Sequence, residues 1–424
     1  MADTTKAAET APAERPELFG FVTDAETMAV LRAGLGEYAP RNFELRKATI
    51  LEAVAALRKM PTPRTMIVDI SGQDQPLNAL DSLSEVVEPD VRVLLIGDQD
   101  GASFYRQVTR GMGVLEYLHK PLTKDSVARF FAPLIAGKTA PQQVNGGRLV
   151  SITGVRGGVG ASTLAANLAW YFGVEAARHT LLMDTDLQRG TCAMLLGMPG
   201  GGGLRAAMEN PERVDQLFVE RTAQLVRDRL HLLGAEENLA DQPSYAEGAA
   251  ERLMAEVRRR YNFVIMDLPF TGAAMQRDLM MQAHHRILVL DPTLASVRDT
   301  LRFMALPRGA PQPGRPLLVL NKTQRRGCLS VRQVEDALKV KVDVVVPDTP
   351  KLIGNAATLG EAAFRNSGPF RKAVLKLAGE IATMRAGAAG AGTPAPIDQR
   401  RTGWRLSSLL TRSRRSASYT EANG

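Results

Sequence analysis

The sequence predicts two α/β domains in tandem, each a parallel sheet wound with helices on both faces, and three observations carry that prediction. Short apolar runs alternate with stretches of helical periodicity along most of the chain, which is the grammar of βα units. The chain has 424 residues, and one hydrophobic core stops growing near ~250–300 residues. A cluster of Gly, Pro, Gln and Asn at 137–147 (GKTAPQQVNGG) interrupts the pattern between an apolar helix end and a new apolar strand. The expected organisation is a disordered segment at 1–17, a first domain at 18–136, a linker at 137–147, a second domain at 148–385, and a low-complexity linker with a basic tail at 386–424.

In the first domain, Leu18–Thr23, Thr65–Ile70, Val91–Gly97 and Val114–His119 read as strands. In the second, Leu149–Thr153, Thr180–Asp184, Leu230–Gly234, Phe263–Asp267, Arg286–Leu290, Pro316–Asn321 and Val342–Val346 do so. Seven strands that read as buried imply a doubly wound, mainly parallel sheet. Ligands in such sheets bind at the carboxyl ends of strands.

Composition narrows the function. With 45% hydrophobic and 23% charged residues, the chain falls outside the disordered, collagenous and disulfide-rich classes. Cys192 and Cys328 are its two cysteines, too few for a disulfide framework or a cysteine zinc site, so no structural metal is expected. No run approaches the ~18 apolar residues of a spanning helix, and the opening residues lack the order of a signal peptide, so the expected location is cytoplasmic. The net charge is +8, and residues 386–424 hold six Arg against Asp398 and Glu421. Such a basic stretch attracts phosphate-bearing surfaces, lipid or nucleic acid, unless it is simply a solvated tail. The histidines form no ligand spacing: His284 and His285 read as a loop end. The run Gly200–Gly203 has no Lys or Ser/Thr in place for a second phosphate loop and reads as a flexible connection.

The chemistry centres on the segment after the second domain's first strand. Gly154 to Thr163 (GVRGGVGAST) precede a helical run, giving strand, glycine loop and helix in succession. Backbone N–H groups of Arg156, Gly157, Gly158, Val159, Gly160, Ala161, Ser162 and Thr163 can turn inward around phosphate oxygens, aided by the positive end of the helix. Ser162 is the expected Mg²⁺ ligand. A phosphate loop carries Lys before its Ser/Thr, and here Ala161 stands there. Asp186, in Asp184-Thr185-Asp186, suits orientation of an attacking water, and Asp267, ending an apolar strand, suits holding the metal. The cofactors expected are ATP and Mg²⁺.

The runs RGGVGAST, DTDLQRG and MDLP resemble the deviant Walker A, A′ and B motifs of the MinD/ParA ATPases, and the Ala-Ser-Thr ending resembles the CpaE/TadZ branch. The resemblance covers roughly residues 18–385 in motif order and extends to Leu290–Arg298. It implies a factor that helps localise and assemble tight-adherence (Flp) pili, pairing the ATPase fold with an N-terminal receiver-like domain. It implies that Asn321 contacts adenine, that Pro347 and Asp348 lie in the loop closing over the base, and that Arg156 takes the place of a signature Lys reaching across a nucleotide-sandwiched homodimer. Arg keeps the charge and donates bidentate bonds to phosphate. Loss of the ammonium at Ala161 removes a stabiliser of the kind whose loss costs ~2–4 kcal/mol in the transition state, so binding with slow hydrolysis, or none, is expected.

The first domain resembles a response-regulator receiver of flavodoxin-like order, with Asp69 and Lys120 at strand ends and Asp24 and Glu26 as partial acidic cluster. Gly97 occupies the position where receivers carry a switching hydroxyl. Two readings follow: a phosphoacceptor at Asp69, or a salt-bridge cluster in a dimerisation or docking module, the latter favoured. Residues 400–415 interleave Trp404, Leu406, Leu409 and Leu410 with six Arg. A disordered tail, or an amphipathic contact with the inner membrane like that of MinD proteins, are the readings there. The partners implied are a second copy and the pilus assembly or secretion machinery, at the membrane periphery and the cell pole. A DNA-binding partitioning ATPase and a phosphorelay regulator are the alternatives, with nucleic acid the less favoured partner.

Overall fold

The computed structural model describes residues 15–40, 43–136, 147–312, 314–325 and 327–383. The expectations for 1–14, for most of the 137–147 linker and for the tail at 386–424, the 400–415 stretch included, fall outside the described residues.

Two sheets organise what is described. The first has strands β1 (Leu18–Val22), β2 (Glu44–Lys47), β3 (Thr65–Asp69), β4 (Arg92–Gly97) and β5 (Glu116–His119) in the order β2-β1-β3-β4-β5, all parallel. The strands β1 and β3 are buried at every position, as sheet residues covered on both faces must be, and Phe19, Phe21, Met66 and Val68 meet helix residues such as Ile50, Leu57 and Leu80 on one side. The edge strand β2 (ELRK) was not foreseen; only Leu45 is buried in it. Asp24 starts the helix Ala25–Leu35 by accepting the Thr27 amide at 2.7 Å, satisfying one of the donors a helix start leaves open.

The second sheet has β6 (Arg148–Gly154), β7 (Thr180–Asp184), β8 (Gln224–Arg227), β9 (Leu230–Leu233), β10 (Phe263–Asp267), β11 (His285–Leu290), β12 (Leu317–Thr323) and β13 (Val344–Pro347). Their order is β13-β12-β11-β6-β10-β7-β9-β8, and all neighbours pair in parallel except β8 with β9. All seven strands expected in this region are present. The eighth, β8, is an antiparallel edge strand with only partial burial. The central strands carry Val, Leu and Ile into cores on both faces, one around the helix Ala161–Trp170 and the other around Ala249–Arg260. The loop at 200–203 leads straight into the helix Gly203–Glu209.

The sheets meet at the amino ends of their strands. The Arg229 guanidinium, just before β9, donates to the carbonyls of Leu57 and Val86, and Asn262, just before β10, donates from Nδ2 to the Val87 carbonyl at 2.8 Å. Arg178 pairs with Glu85 across the same seam. The carboxyl end of each sheet therefore lies away from the seam, and the two sets of candidate site residues occupy opposite ends of this body.

Candidate nucleotide site and a second charge cluster

The loop after β6 is shaped by two glycines with positive φ, Gly158 at 76° and Gly160 at 96°. Gly160 lies where the helix Ala161–Trp170 begins, and a Cβ there would stand 2.5 Å from Asn321 Nδ2; neither the backbone angle nor the space admits a side chain. The loop, the helix start and the carboxyl ends of β10, β12 and β13 line an open cleft of about 1180 Å³. Arg156 to Thr163, Asp186, Asp267, Asn321, Pro347 and Asp348 all line it.

Asp267 lines this cleft with a second buried acid, Asp184, beside it. Asp184 and Asp267 end the paired strands β7 and β10 in register, and with Cys192 Sγ they offer oxygen and sulfur atoms within 4.8 Å of one another, all three residues buried. Burial first, and then the charge of Asp184, push the Asp267 carboxyl up to about 7, against a hydrogen bond with Ser162 that lowers it. Burial likewise raises Asp184, against the amides of Cys192 (2.9 Å) and Asp186 (3.2 Å). Two buried carboxylates this close repel, and a divalent cation relieves the repulsion. The donor set of Ser162, Asp267 and Asp184 therefore fits Mg²⁺ on hard oxygen chemistry, while Cys192, its thiol held protonated by burial and by the two acids, closes the floor. The sequence named Asp186 and Asp267 for this region. Asp186 caps its own loop, its Oδ1 accepting the amides of Gln188 (3.3 Å) and Arg189 (3.0 Å).

Other side chains depart from the simplest expectation. Asn321, 9% exposed, donates from Nδ2 to the Val159 carbonyl at 2.8 Å and accepts the Lys322 amide on Oδ1 at 2.8 Å. The amide that the resemblance assigns to adenine is thus engaged with the phosphate loop. Arg156 is folded back onto the chain, its Nη1 2.6 Å from Asp299 Oδ2. Pro347 ends β13, and the Asp348 amide donates to the Thr323 carbonyl at 3.0 Å. Motif reading missed Asp299, Lys322 and Cys192. The position of Lys322 next to Asn321 was the available signal, but nothing local indicates where its side chain goes.

At the other end of the body, Asp69 closes β3 and is 1% exposed. It accepts from Thr23 N (3.1 Å), Thr23 Oγ1 (2.6 Å), Ser71 N (3.0 Å), Ser71 Oγ (2.6 Å) and Lys120 Nζ (2.6 Å). Lys120 also reaches Asp24 at 2.7 Å. Burial alone would raise both carboxyls, but the hydrogen bonds outweigh it and hold Asp24 and Asp69 below the usual carboxylate range; Lys120 is raised by the same contacts against its own desolvation. Glu26 lies exposed on the first turn of the helix Ala25–Leu35 and takes no part in these bonds. Gly97 ends β4, and a Cβ on it would stand 2.9 Å from both Tyr117 Oη and Ile70 Cγ1. Tyr117 donates from that hydroxyl to the Gln99 carbonyl at 2.8 Å, filling the space beside Gly97.

A family model described as an AAA domain matches residues 147–304. Among curated proteins, the chain is similar to the septum site-determining protein MinD of Synechocystis sp., 29% identical over 217 residues, covering 49% of this chain and 78% of that protein. Among solved structures, it is similar to MinD of Pyrococcus horikoshii complexed with Mg-ADP, 21% identical with a TM-score of 0.47, covering 57% of this chain and 99% of that one. It is also similar to a pilus assembly protein CpaE from Caulobacter crescentus, 30% identical with a TM-score of 0.26, covering 28% of this chain and 97% of that one.

Proposed function

We propose, for a chain that its AAA-domain match and its MinD relatives support as a MinD/ParA-superfamily ATPase, that it binds Mg²⁺·ATP over the loop Arg156–Thr163 and acts as a dimeric assembly switch with little turnover. The observation that carries this reading is the cleft itself. A helix start and a glycine loop that suit an anion face a buried carboxylate pair that suits a divalent cation. Ser162 and Asp267 would hold the metal, with Asp184 beside them. Bound there, Mg²⁺ neutralises phosphate charge.

The chain's own groups set how far chemistry goes. Loop amides orient the polyphosphate, and Asp186 orients water. Ala161 brings no ammonium to the phosphates, so charge developing in a transition state meets less stabilisation than a loop lysine gives. Arg156 is the residue that would serve a partner copy, and Asp299 holds it until then. The output of such a site is binding.

The finer reading is a factor for assembling tight-adherence pili, located at the membrane periphery and pole. The Ala-Ser-Thr loop ending and the first sheet support it: the order β2-β1-β3-β4-β5, with Asp69 and Lys120 at the carboxyl end beside the β1/β3 switch point, suits a receiver-like module. Gly97 and the inward Tyr117 favour docking over phosphoryl signalling for it. No described helix is long and apolar enough to cross a membrane, and membrane contact through 400–415 is part of the same proposal.

The test is calorimetry of Mg²⁺·ATP binding with light-scattering mass on the same samples, and Gly158→Val as the blocked control. Binding accompanied by a doubling of mass is expected. Absence of binding would overturn the reading and leave the second sheet a scaffold.

A further inference from the structure

Five cationic side chains line the cleft: Arg156, Arg189, Arg302, Lys322 and Arg325. Each arginine lies against a carboxylate: Arg156 and Arg302 at 2.6 and 3.7 Å from Asp299, Arg189 at 3.8 Å from Asp186, and Arg325 at 3.3 Å from Asp348. Lys322 differs. Its Nζ donates to a neutral acceptor, the Gly158 carbonyl of the phosphate loop, at 2.5 Å. An ammonium has three donors and a full charge, and a carbonyl satisfies one donor and cancels none of the charge.

The backbone is bent to place it there. The pairing of β12 with β13 shifts register between Leu320 and Thr323, and Lys322 inside that irregularity has φ 57°. A lysine gains nothing intrinsic from left-handed backbone, and such conformations persist where the surroundings enforce them. Here Asn321 enforces it, gripping the loop at Val159 with one end of its amide and the Lys322 N–H with the other. Loop, Asn321 and Lys322 thus form one unit at the place where the loop's own lysine is replaced by Ala161.

We propose that Lys322 supplies, from strand β12, the positive charge for nucleotide polyphosphate that this phosphate loop lacks at Ala161. The inference rests on the nucleotide-binding reading above and names the residue that lets a lysine-free loop hold an anion. The flexible four-carbon stem lets Nζ swing from the Gly158 carbonyl to a ligand oxygen while the backbone stays fixed.

The experiment is calorimetry on the full chain with Mg²⁺ and, separately, ATP, ADP and AMP. Charge-assisted hydrogen bonds are worth enough that Lys322→Met should weaken ATP roughly ten- to hundredfold, ADP less and AMP little, while Lys322→Arg stays within about threefold of wild type. Ala161→Lys placed in the Lys322→Met background should restore ATP binding, because a charge on the loop does the same work. Lys322→Gln, which keeps a stem and a hydrogen bond without the charge, should behave like Lys322→Met and decides the matter if the Met variant melts early by circular dichroism. Unchanged ATP affinity in the uncharged variants, equal losses for ATP and AMP, or failure of Ala161→Lys to restore binding would each overturn the proposal. Wild-type protein that binds no ATP would sink the nucleotide reading and this inference together; wild-type binding with unaltered variants would sink this inference alone.

Discussion

At the carboxyl end of the first sheet, Lys120 lies 2.6 Å from Asp69 and 2.7 Å from Asp24; at the carboxyl end of the second, Lys322 lies on a backbone carbonyl, and a carboxylate pair sits buried across the cleft. The ingredients are similar, two aspartates and a lysine near strand ends, but the arrangements are opposite. In the first cluster Lys120 balances both carboxylates within the chain. In the second, the hydrogen bonds to Asp184 and Asp267 come from Cys192, the Asp186 amide and Ser162, with no cationic donor to them among the described residues. The first cluster balances its charges within the chain, whereas the second leaves, among the described residues, a buried carboxylate pair without a cationic partner and one lysine without a carboxylate, the arrangement that the proposed Mg²⁺·nucleotide ligand would complete.

The largest expected effect tests the first half of that contrast. Removing one partner of a buried pair costs ~3–5 kcal/mol where nothing else compensates the other; Asp69 keeps its Thr23 and Ser71 donors and Asp24 is partly exposed, so Lys120→Met should lower stability by about 3 kcal/mol in urea titrations at pH 7. Lys322→Met should cost less than ~0.5 kcal/mol in the same titration, as surface changes commonly do. Equal losses would break the comparison. The acid dependence has a definite sign: Asp69 and Asp24 are lowered on folding, so their contribution is complete above their unfolded values near ~3.9 and disappears as pH falls through the folded ones. Lys120→Met should lose most of that dependence.

Next in size, Gly160→Val meets both a positive φ and the Asn321 amide at 2.5 Å. Strain of ~2–3 kcal/mol at the loop should weaken ATP by roughly a hundredfold in calorimetry while the first sheet's stability is unaffected.

A smaller effect, opposite in direction, belongs to Asp267. Its carboxyl is raised on folding to about 7, so between the unfolded value and pH 7 the native state binds more protons and stability falls as pH rises. Asp267→Asn should therefore be more stable than wild type by ~1–2 kcal/mol at pH 8 without Mg²⁺, with the gain vanishing near pH 4; thermal melts across that range check it. The same substitution should weaken Mg²⁺·ATP. The smallest change expected is from Gly97→Ser, which forces Tyr117 out of its place at about 1 kcal/mol and should alter tyrosine near-ultraviolet dichroism; an unaltered spectrum would mean that the pocket accommodates a hydroxyl.

Much of this was legible in the sequence because it depended on local pattern. Buried parallel strands such as FVIMD and HRILVL carry an apolar run of four residues with polar groups only at an end, so both the strands and the sheet type follow from hydropathy. The edge strands ELRK and QLVR escaped notice because an edge needs no continuous apolar run. The glycine loop was visible through its residue types, since positive φ and close approach require glycine.

Charge pairing was not legible in the same way. Nothing in Asn321-Lys322 says that the lysine turns back over a loop 164 residues earlier, and nothing near Asp299 says that Arg156, 143 residues earlier, joins its neighbours Arg298 and Arg302 on that carboxylate. By itself the sequence determined the α/β grammar, the glycine loop, the loss of lysine at 161 and the acids at strand ends, because each is a property of residue type and short-range periodicity. Only the tertiary structure decided which lysine is neutralised and which is left with its charge, because compensation depends on distances of a few ångströms between groups brought together by folding.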